Sequence, residues 1–294
     1  MRSIGWITLQ PKYHERTNGY MKKLTLIAFA IGLAAHQLIE HEAIKLVERT
    51  ISIRDLPADL EGFRIAHISD LHGKRFGNRN IRLAKIIDSC DPDVLCMTGD
   101  MVNGTKDDGS ALTELLMNLR GKYPRLYVSG NHENRSIWLS EKANRDRLSE
   151  DLEMYGTVII DGRSYCIEGL PICFHGMKDS RDKHLKLDEV MGPKRDGAQN
   201  IALIHRPSRF EAAAKAGYDL ILSGHIHGGV VRIPFAGGLL SPDKVLFPRY
   251  DKGIFHDFGS ALCITSGLGN TRVYPKLMNR PEVVLIRLVS GEAK

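Results

Sequence analysis

The chain has 294 residues, of which 43% are hydrophobic and 26% charged, a composition typical of a folded domain with a sizeable core. Its formal net charge is +6, but residues 1–23 contain five Lys or Arg and one Glu, so this stretch accounts for +4 and the remainder is nearly balanced. A balanced body without a basic run interleaved with aromatic residues argues against nucleic acid as a partner and against a membrane-tethered nuclease.

Residues 1–36 are predicted to be a tail that contains a membrane anchor or a signal segment. Twelve uncharged residues, 24–35, follow Lys22 and Lys23. This run is short for a span of about 20 residues, but it suits the apolar part of a signal or anchor. Basic residues before the run and mixed charges after it place the following domain outside the cytoplasm. Met21 is an alternative start, and the sequence leaves cleavage open.

The rest of the chain is predicted to be a connector, residues 37–60, and one large domain, residues 61–294. The domain begins with strands at 64–69, 94–98 and 126–129, separated by helical patterns at 81–90 and 111–119. This alternation predicts parallel strands with covering helices, and ligands of such sheets bind beyond the carboxyl ends of the strands.

Later segments predict a second sheet. Runs at 157–160, 164–168 and 172–176 are short and close together, which indicates antiparallel strands. Parallel strands are expected again at 201–205, 219–223 and 262–265, followed by a last strand at 283–288. A long loop near the site is expected at 228–248, which is rich in Gly and Pro. The five cysteines form no C-x-x-C pair, and we expect them to be buried thiols rather than disulfides or metal ligands.

Polar groups that can bind metals follow several of these strands at the point where each strand ends. They are Asp70 and His72 after the first strand, Asp100 after the second, Asn131 and His132 after the third, and His205, His225 and His227 after later strands. Packing does not explain such a set, because a buried unpaired polar group costs about 1–3 kcal/mol. We therefore expect a functional site at the shared edge of the sheet.

This arrangement resembles the calcineurin-like metallophosphoesterase superfamily. The residues that carry the resemblance are Asp70-X-His72, Gly99-Asp100, Gly130-Asn131-His132-Glu133, His205 and Gly224-His225-X-His227. The apolar tail, Gly228-Gly229, Gly267-Leu268-Gly269 and Arg280-Pro281-Glu282 are similar to a membrane-associated bacterial branch. The resemblance implies an α/β fold, a β-sandwich of two mixed sheets flanked by helices in four α/β/β/α layers.

The resemblance also implies roles for these residues. Asp70, His72 and His227 would bind one metal, Asn131, His205 and His225 would bind the other, and Asp100 would bridge the two. Such mixed imidazole and carboxylate ligands suit two divalent ions of Mn, Fe or Zn. His132 would donate a proton to the leaving oxygen or stabilise charge there. Asn103 stands where related phosphatases often have an aspartate, Glu133 is expected to be structural, and Asp179 faces the site or ends a turn.

The expected activity is hydrolysis of a phosphodiester or phosphomonoester by a hydroxide held between two metals. The tail makes a lipid- or nucleotide-linked substrate plausible. One alternative is the UDP-2,3-diacylglucosamine pyrophosphate hydrolase of lipid A synthesis. Another is a non-catalytic metal-binding module, against which the complete ligand set argues. The substrate pocket is expected within residues 138–155 and 235–250.

Overall fold

The computed structural model of the protein describes residues 12–104, 107–180, 182, 185–229, 231–233, 237–270, 276 and 278–291. Its helices are α1 (Lys12–Glu42), α2 (Ile81–Ser89), α3 (Ser110–Asn118), α4 (Asn131–Arg135), α5 (Ile137–Ser140), α6 (Lys142–Met154), α7 (Leu187–Val190) and α8 (Phe210–Lys215). Its strands are β1 (Lys45–Ile53), β2 (Arg64–Ile68), β3 (Val94–Thr98), β4 (Arg125–Val128), β5 (Thr157–Ile159), β6 (Ser164–Cys166), β7 (Ile172–Met177), β8 (Gln199–Ile204), β9 (Leu220–Ser223), β10 (Arg232–Ile233), β11 (Gly237–Gly238), β12 (Gly253–Asp257), β13 (Ser260–Ile264) and β14 (Glu282–Ser290).

The strands form two six-stranded mixed sheets. The first sheet has the order β1-β14-β2-β3-β4-β5, in which only β14 and β2 are antiparallel neighbours. The second has the order β12-β13-β9-β8-β7-β6, with parallel strands at its centre and antiparallel pairs at both edges. The carboxyl ends of β2, β3 and β4 therefore lie side by side in one sheet, and those of β8 and β9 in the other.

Three apolar layers hold these elements together. Side chains such as Ile65, Val94 and Leu203 fill the space between the two sheets. Helices α2, α3 and α6 cover the outer face of the first sheet, and α7 and α8 cover the second. Strands that are buried on both faces are continuous apolar runs, as in β3, where every residue is buried. The structure thus has the expected four layers, two mixed sheets flanked by helices.

Both edges of the first sheet differ from the sequence-based prediction. Strand β5 does not join the second sheet and lies parallel to β4 in the first sheet. Parallel neighbours need a crossover connection of about a dozen residues or more, and the 13-residue helix α6 lies in this connection. Residues 37–60, predicted as a connector, contain β1, which pairs with β14 over nine residues. The apolar residues Ile51 and Ile53 at the end of β1 enter the core between the sheets.

The prediction that all five cysteines are thiols is wrong for two of them. Cys166 in β6 lies opposite Cys173 in β7, with a Cα–Cα distance of 4.1 Å, and the two form a disulfide. The antiparallel register places both side chains on one face of the sheet, a pairing that spacing along the chain does not reveal. Cys90, Cys96 and Cys263 are buried free thiols, as predicted.

Helix α1 includes the apolar run of the predicted tail, whose first eleven residues lie outside the described part of the chain. Leu24, Leu26, Ile27, Phe29 and Ile31 on this helix are exposed. Within the residues that the structure describes, none of the helices combines the length and the apolar character needed to cross a membrane.

Candidate metal centre

The polar residues predicted to form a site meet where the carboxyl ends of the two sheets come together. The chain turns sharply there, with positive φ angles at Asp70 (53°), His72 (49°), Asp100 (52°), His225 (69°) and His227 (55°). Residues other than Gly rarely adopt this conformation, which costs about 1–3 kcal/mol at each position and is concentrated at functional sites.

Two glycines allow the loops after β3 and β4 to pack against each other. A Cβ atom on Gly130 would lie 2.2 Å from Oδ1 of Asp100, and a Cβ on Gly99 would lie 2.6 Å from the backbone N of Gly130. Neither position has room for a side chain. The close backbone contact beside the Asp100 carboxylate therefore explains why glycine directly precedes Asp100 and Asn131.

One cluster of donor atoms is formed by Asp70, His72 and His227. Nε2 of His72 lies 3.1 Å from Nε2 of His227. Oδ1 of Asp70 lies 3.9 Å from the first of these nitrogens and 3.5 Å from the second. Atoms bound to one ion at about 2.0–2.2 Å are separated by roughly 3–4 Å. This cluster thus has the dimensions of a site for a single divalent cation.

A second cluster is formed by Asp100, His205 and His225. Oδ2 of Asp100 lies 3.2 Å from Nε2 of His205, and it also lies 4.0 Å from Nε2 of His72 in the first cluster. Oδ1 of the same carboxylate accepts a hydrogen bond from the backbone N–H of His132. Asp100 is consequently placed between the two clusters, with one oxygen anchored and the other facing the histidines.

The chemistry of these donors fits bound cations. Nδ1 of His205 lies 2.7 Å from the carbonyl oxygen of Thr98, so this nitrogen carries the proton and Nε2 presents a lone pair to Oδ2 of Asp100. Two acceptors facing each other at 3.2 Å need a cation or a proton between them. Nε2 of His205 is accordingly buried without a hydrogen-bond partner among the described residues.

The electrostatics of the site are consistent with this interpretation. Burial lowers the pKa of His72 to about 3 and raises the pKa of Asp70 to about 6. Burial also lowers the pKa of His205, but the carboxylates of Asp100 and Asp70 and the carbonyl of Thr98 together outweigh burial and raise this pKa to about 10. A proton on His205 therefore compensates Asp100 when no metal does so. Metal binding would have to displace this proton.

His132 lies beside the two clusters, and with His72 and Asp100 it forms a third group of donor atoms that are close enough to hold a cation. Its Nε2 is 3.9 Å from Oδ2 of Asp100, and its side chain is 24% exposed, so a substrate can reach it. The backbone N–H of Gly104 donates to Nδ1 over 3.3 Å. The ring is therefore oriented by the backbone of Gly104. With Nδ1 as an acceptor, the proton of the neutral ring sits on Nε2 and faces the site.

Glu133 is structural, as the sequence suggested. Its carboxylate accepts hydrogen bonds from four backbone N–H groups, those of Asp100, Met101, Val102 and Gly130. Burial raises the pKa of Glu133 to about 7, and the backbone donors act in the opposite direction. The side chain fastens the loop after β3 to the loop after β4.

Arg206 is a buried site residue that the sequence analysis missed. Its guanidinium donates to Oδ1 of Asn131 over 2.9 Å and lies 2.9 Å from Nε2 of His225. Asp179 accepts from Nε of Arg206 over 2.7 Å, so Asp179 supports the site from behind. Asp243, in the predicted 228–248 loop, lies 2.9 Å from Nε2 of His225, leaving Nδ1 of this histidine as the nitrogen available to a metal. The position of Arg206 directly after His205 was the available signal.

A two-sheet sandwich with carboxylate, imidazole and amide donors at the joined strand ends defines a metallophosphoesterase-type domain. The chain belongs to the calcineurin-like phosphoesterase family, which matches residues 63–229. It is similar to the metallophosphoesterase YkuE of Bacillus subtilis, with 24% identity over 269 residues that cover 88% of this chain and 90% of that protein. The phosphodiesterase YaeI of Escherichia coli is 29% identical over 240 residues, which cover 77% of this chain and 82% of that protein.

Solved structures of similar fold include the NAD nucleotidase NadN of Haemophilus influenzae. The similarity covers 70% of this chain and 45% of the nucleotidase chain, with 15% sequence identity and a TM-score of 0.45.

Proposed function

We propose that the protein is a binuclear metal-dependent phosphoesterase that hydrolyses phosphodiester or phosphomonoester bonds. The observation that carries this proposal is the position of Asp100, whose Oδ2 lies within 4.0 Å of a histidine from each cluster. A carboxylate placed in this way can bridge two cations, as two-metal phosphoester hydrolysis requires. The relative YaeI, a phosphodiesterase, supports the diester as the first substrate to test.

The proposed roles follow the two clusters. Asp70, His72 and His227 would hold one cation, Asn131, His205 and His225 would hold the other, and Asp100 would bridge them. Two such cations, Mn, Fe or Zn, would supply a hydroxide nucleophile at neutral pH and neutralise the phosphoryl oxygens. Arg206 orients the amide oxygen of Asn131, and Asp243 orients the ring of His225 through Nε2.

His132 is proposed to stabilise the leaving group by a hydrogen bond. Its Nε2 lies beside the Asp100 carboxylate on a partly exposed side chain, and its Nδ1 is occupied by the N–H of Gly104. A neutral imidazole held in this way donates a hydrogen bond to a developing oxyanion without giving up the proton completely. Of the two roles suggested by the sequence, charge stabilisation is therefore the one we propose.

Metal analysis coupled to an activity measurement tests the proposal. Protein loaded with Mn²⁺ or Zn²⁺ is expected to bind about two ions per chain and to hydrolyse bis(p-nitrophenyl) phosphate. Asp100→Asn should bind at most about one ion and lose more than about 10²-fold in kcat/KM. Asp91→Asn is the control, because the Asp91 side chain is 91% exposed in a surface ion pair. A loaded wild-type protein with close to zero ions would overturn the binuclear proposal.

The two alternatives, a UDP-2,3-diacylglucosamine pyrophosphate hydrolase and a non-catalytic metal-binding module, receive less support. A UDP-diacylglucosamine hydrolase must accommodate acyl chains, whereas the cavity beside the metal centre is lined mainly by charged and hydroxyl side chains. A non-catalytic metal-binding module would not require His132 to remain accessible beside the clusters.

We further propose that residues 1–36 attach the protein to a membrane and that the domain lies outside the cytoplasm. The exposed apolar side chains of α1 support the attachment. The Cys166–Cys173 disulfide supports the location, because disulfides form and persist in oxidising compartments. A lipid- or nucleotide-linked phosphoester remains compatible with this location.

A further inference from the structure

An open cavity of about 750 Å³ adjoins the second cluster of the metal centre. Arg206 and Asp243 form the wall between them, because both residues line the cavity and both contact Nε2 of His225. Asp243 falls within the predicted pocket range 235–250, and none of the described lining residues falls within 138–155. A phosphoester positioned at the metal centre could extend one of its two substituents into this cavity.

The lining of the cavity determines which kind of substituent fits. It consists of hydroxyl groups from Ser180 and Ser208 and of charged side chains, with Ala212 as the one apolar residue among those described. These side chains match a polar substituent that can hydrogen-bond to serines and guanidinium groups.

Arg209 is the charged residue of the cavity that has no ion-pair partner among the described residues. Arg206 pairs with Asp179 over 2.7 Å and with Asp243 over 3.6 Å, and Lys215 pairs with Glu211 over 2.6 Å. The Arg209 side chain is buried, and within the described part of the chain its guanidinium contacts only the backbone carbonyl oxygens of Ser180 and Asp182. Carbonyl groups orient a guanidinium without neutralising its charge. A ligand with anionic oxygens would supply the missing counter-charge through charge-assisted hydrogen bonds.

We infer that this cavity binds a second anionic group of the substrate, a carboxylate or a phosphoryl group attached to one alcohol of the phosphoester. Arg209 is the specificity-determining residue, and Ser180 and Ser208 are available to the same oxygens. The inference rests on the proposed function, because the cavity would select among substrates that the metal centre hydrolyses. The substrate class is then a small phosphodiester with a charged substituent.

Three matched diesters test this inference on the full-length, metal-loaded protein. They are the ethyl, 2-carboxyethyl and 2-phosphonoethyl esters of p-nitrophenyl phosphate, which release the same nitrophenolate and differ only in the second substituent. The wild-type protein should prefer one or both anionic diesters by about 10- to 100-fold in kcat/KM, mainly through KM. The comparison of the carboxylate with the phosphonate identifies which anion the cavity accepts.

Arg209→Met should abolish this preference, measured as the ratio of kcat/KM for the anionic diesters to kcat/KM for the ethyl ester, and Arg209→Lys should retain part of this ratio. Arg249→Met is the matched control, because Arg249 is an exposed arginine paired with Asp257 and does not line the cavity. Equal rates for the three diesters with wild-type protein would overturn the inference even if every variant failed to fold. If none of the three is hydrolysed, the proposed function fails first and the inference fails with it.

Discussion

Three of the proposed ligand side chains are held by contacts that leave a donor atom for a metal. Nδ1 of His205 donates a hydrogen bond to the carbonyl oxygen of Thr98, and Nε2 of His225 donates one to the carboxylate of Asp243. The Asp70 carboxylate accepts from the backbone N–H of His225. Such supporting contacts select the tautomer and the ring orientation of a metal ligand, and their loss typically lowers metal affinity 10- to 100-fold. The site is thus organised before any cation arrives.

His132→Ala should separate leaving-group stabilisation from metal binding. The variant is expected to retain about two metal ions per chain and to lose about 10²–10³-fold in kcat with an alkyl phosphodiester, because the hydrogen bond from Nε2 to the leaving oxygen is removed. The loss should be smaller with a nitrophenyl ester, whose leaving group needs less stabilisation. Metal analysis and kcat for the two esters provide the measurement.

His256→Ala is the control for that comparison, since His256 is an exposed residue of β12. Loss of a metal ion in His132→Ala would instead identify His132 as a ligand. Equal slowing of both esters would identify it as a residue that positions the phosphoryl group.

At the metal centre, the loops that follow the strands contact each other through backbone atoms rather than through packed side chains. The loop after β3 passes against the loop after β4, and the carboxylate of Glu133 joins them through four backbone N–H groups. The contact leaves no space for a methyl group at Gly99 or Gly130. The position of Asp100, and with it the separation of the two clusters, depends on this close approach.

Gly130→Ala is expected to displace Asp100 and weaken metal binding. The new Cβ would lie 2.2 Å from Oδ1 of Asp100, so the loop must move. We expect fewer than about two ions per chain and a loss of about 1–3 kcal/mol in the free energy of unfolding of the metal-free protein. Gly32→Ala should change neither quantity in this direction, because a Cβ there has no neighbour within 4 Å. A Gly130→Ala protein with full metal content would contradict the argument.

At the far edge of the second sheet, the disulfide ties the short strand β6 to β7. Protein purified from an oxidising compartment and unfolded in denaturant should show three reactive thiols per chain, those of Cys90, Cys96 and Cys263. Reduction before unfolding should raise the count to all five cysteines of the sequence. A chromogenic thiol reagent gives the measurement, and Cys173→Ser should give four thiols with or without reduction. Five thiols in the unreduced wild-type protein would exclude the bond.

At the scale of the whole molecule, the end of α1 is docked close to the first metal cluster. Gln37 donates to the carbonyl oxygen of Lys276 over 2.6 Å, and His41 contacts the same oxygen over 2.7 Å. The buried ammonium group of Lys276 donates to the carbonyl oxygen of Gly267, whose backbone packs against Asp70. Contacts therefore connect the base of the apolar helix with a residue proposed to bind a metal.

Two truncations test whether the apolar run attaches the protein to a membrane and whether the docked end of α1 stabilises the fold. Deletion of residues 1–36 removes the apolar run and retains Gln37 and His41, so hydrolysis of a small soluble diester should be unchanged while the protein leaves the membrane fraction. Deletion of residues 1–42 also removes the docked residues and should lower Tm by about 2–6 °C relative to the shorter deletion. Fractionation and thermal unfolding check the two outcomes. An unprocessed full-length protein found entirely in the soluble fraction would contradict membrane attachment.

Much of the fold and of the candidate centre was accessible from the amino-acid sequence. Strands β2, β3 and β4 and helices α2 and α3 lie where the apolar periodicity predicted them. Each of the eight proposed site residues follows a strand end or begins the helix after it, and parallel strands deliver such residues to one edge of a sheet. For this reason the local pattern was sufficient to find residues that are up to 157 positions apart in the chain, from Asp70 to His227.

Only the tertiary structure decided which segments lie beside one another. It placed β5 in the first sheet, paired Cys166 with Cys173, and brought Arg206 and Asp243 to the second cluster. Periodicity records which face of an element is buried but carries no information about the partner that buries it. Arg206 and Asp243 belong to segments without a ligand motif, and they become site residues because the sandwich folds the ends of β8 and β9 against a distant loop.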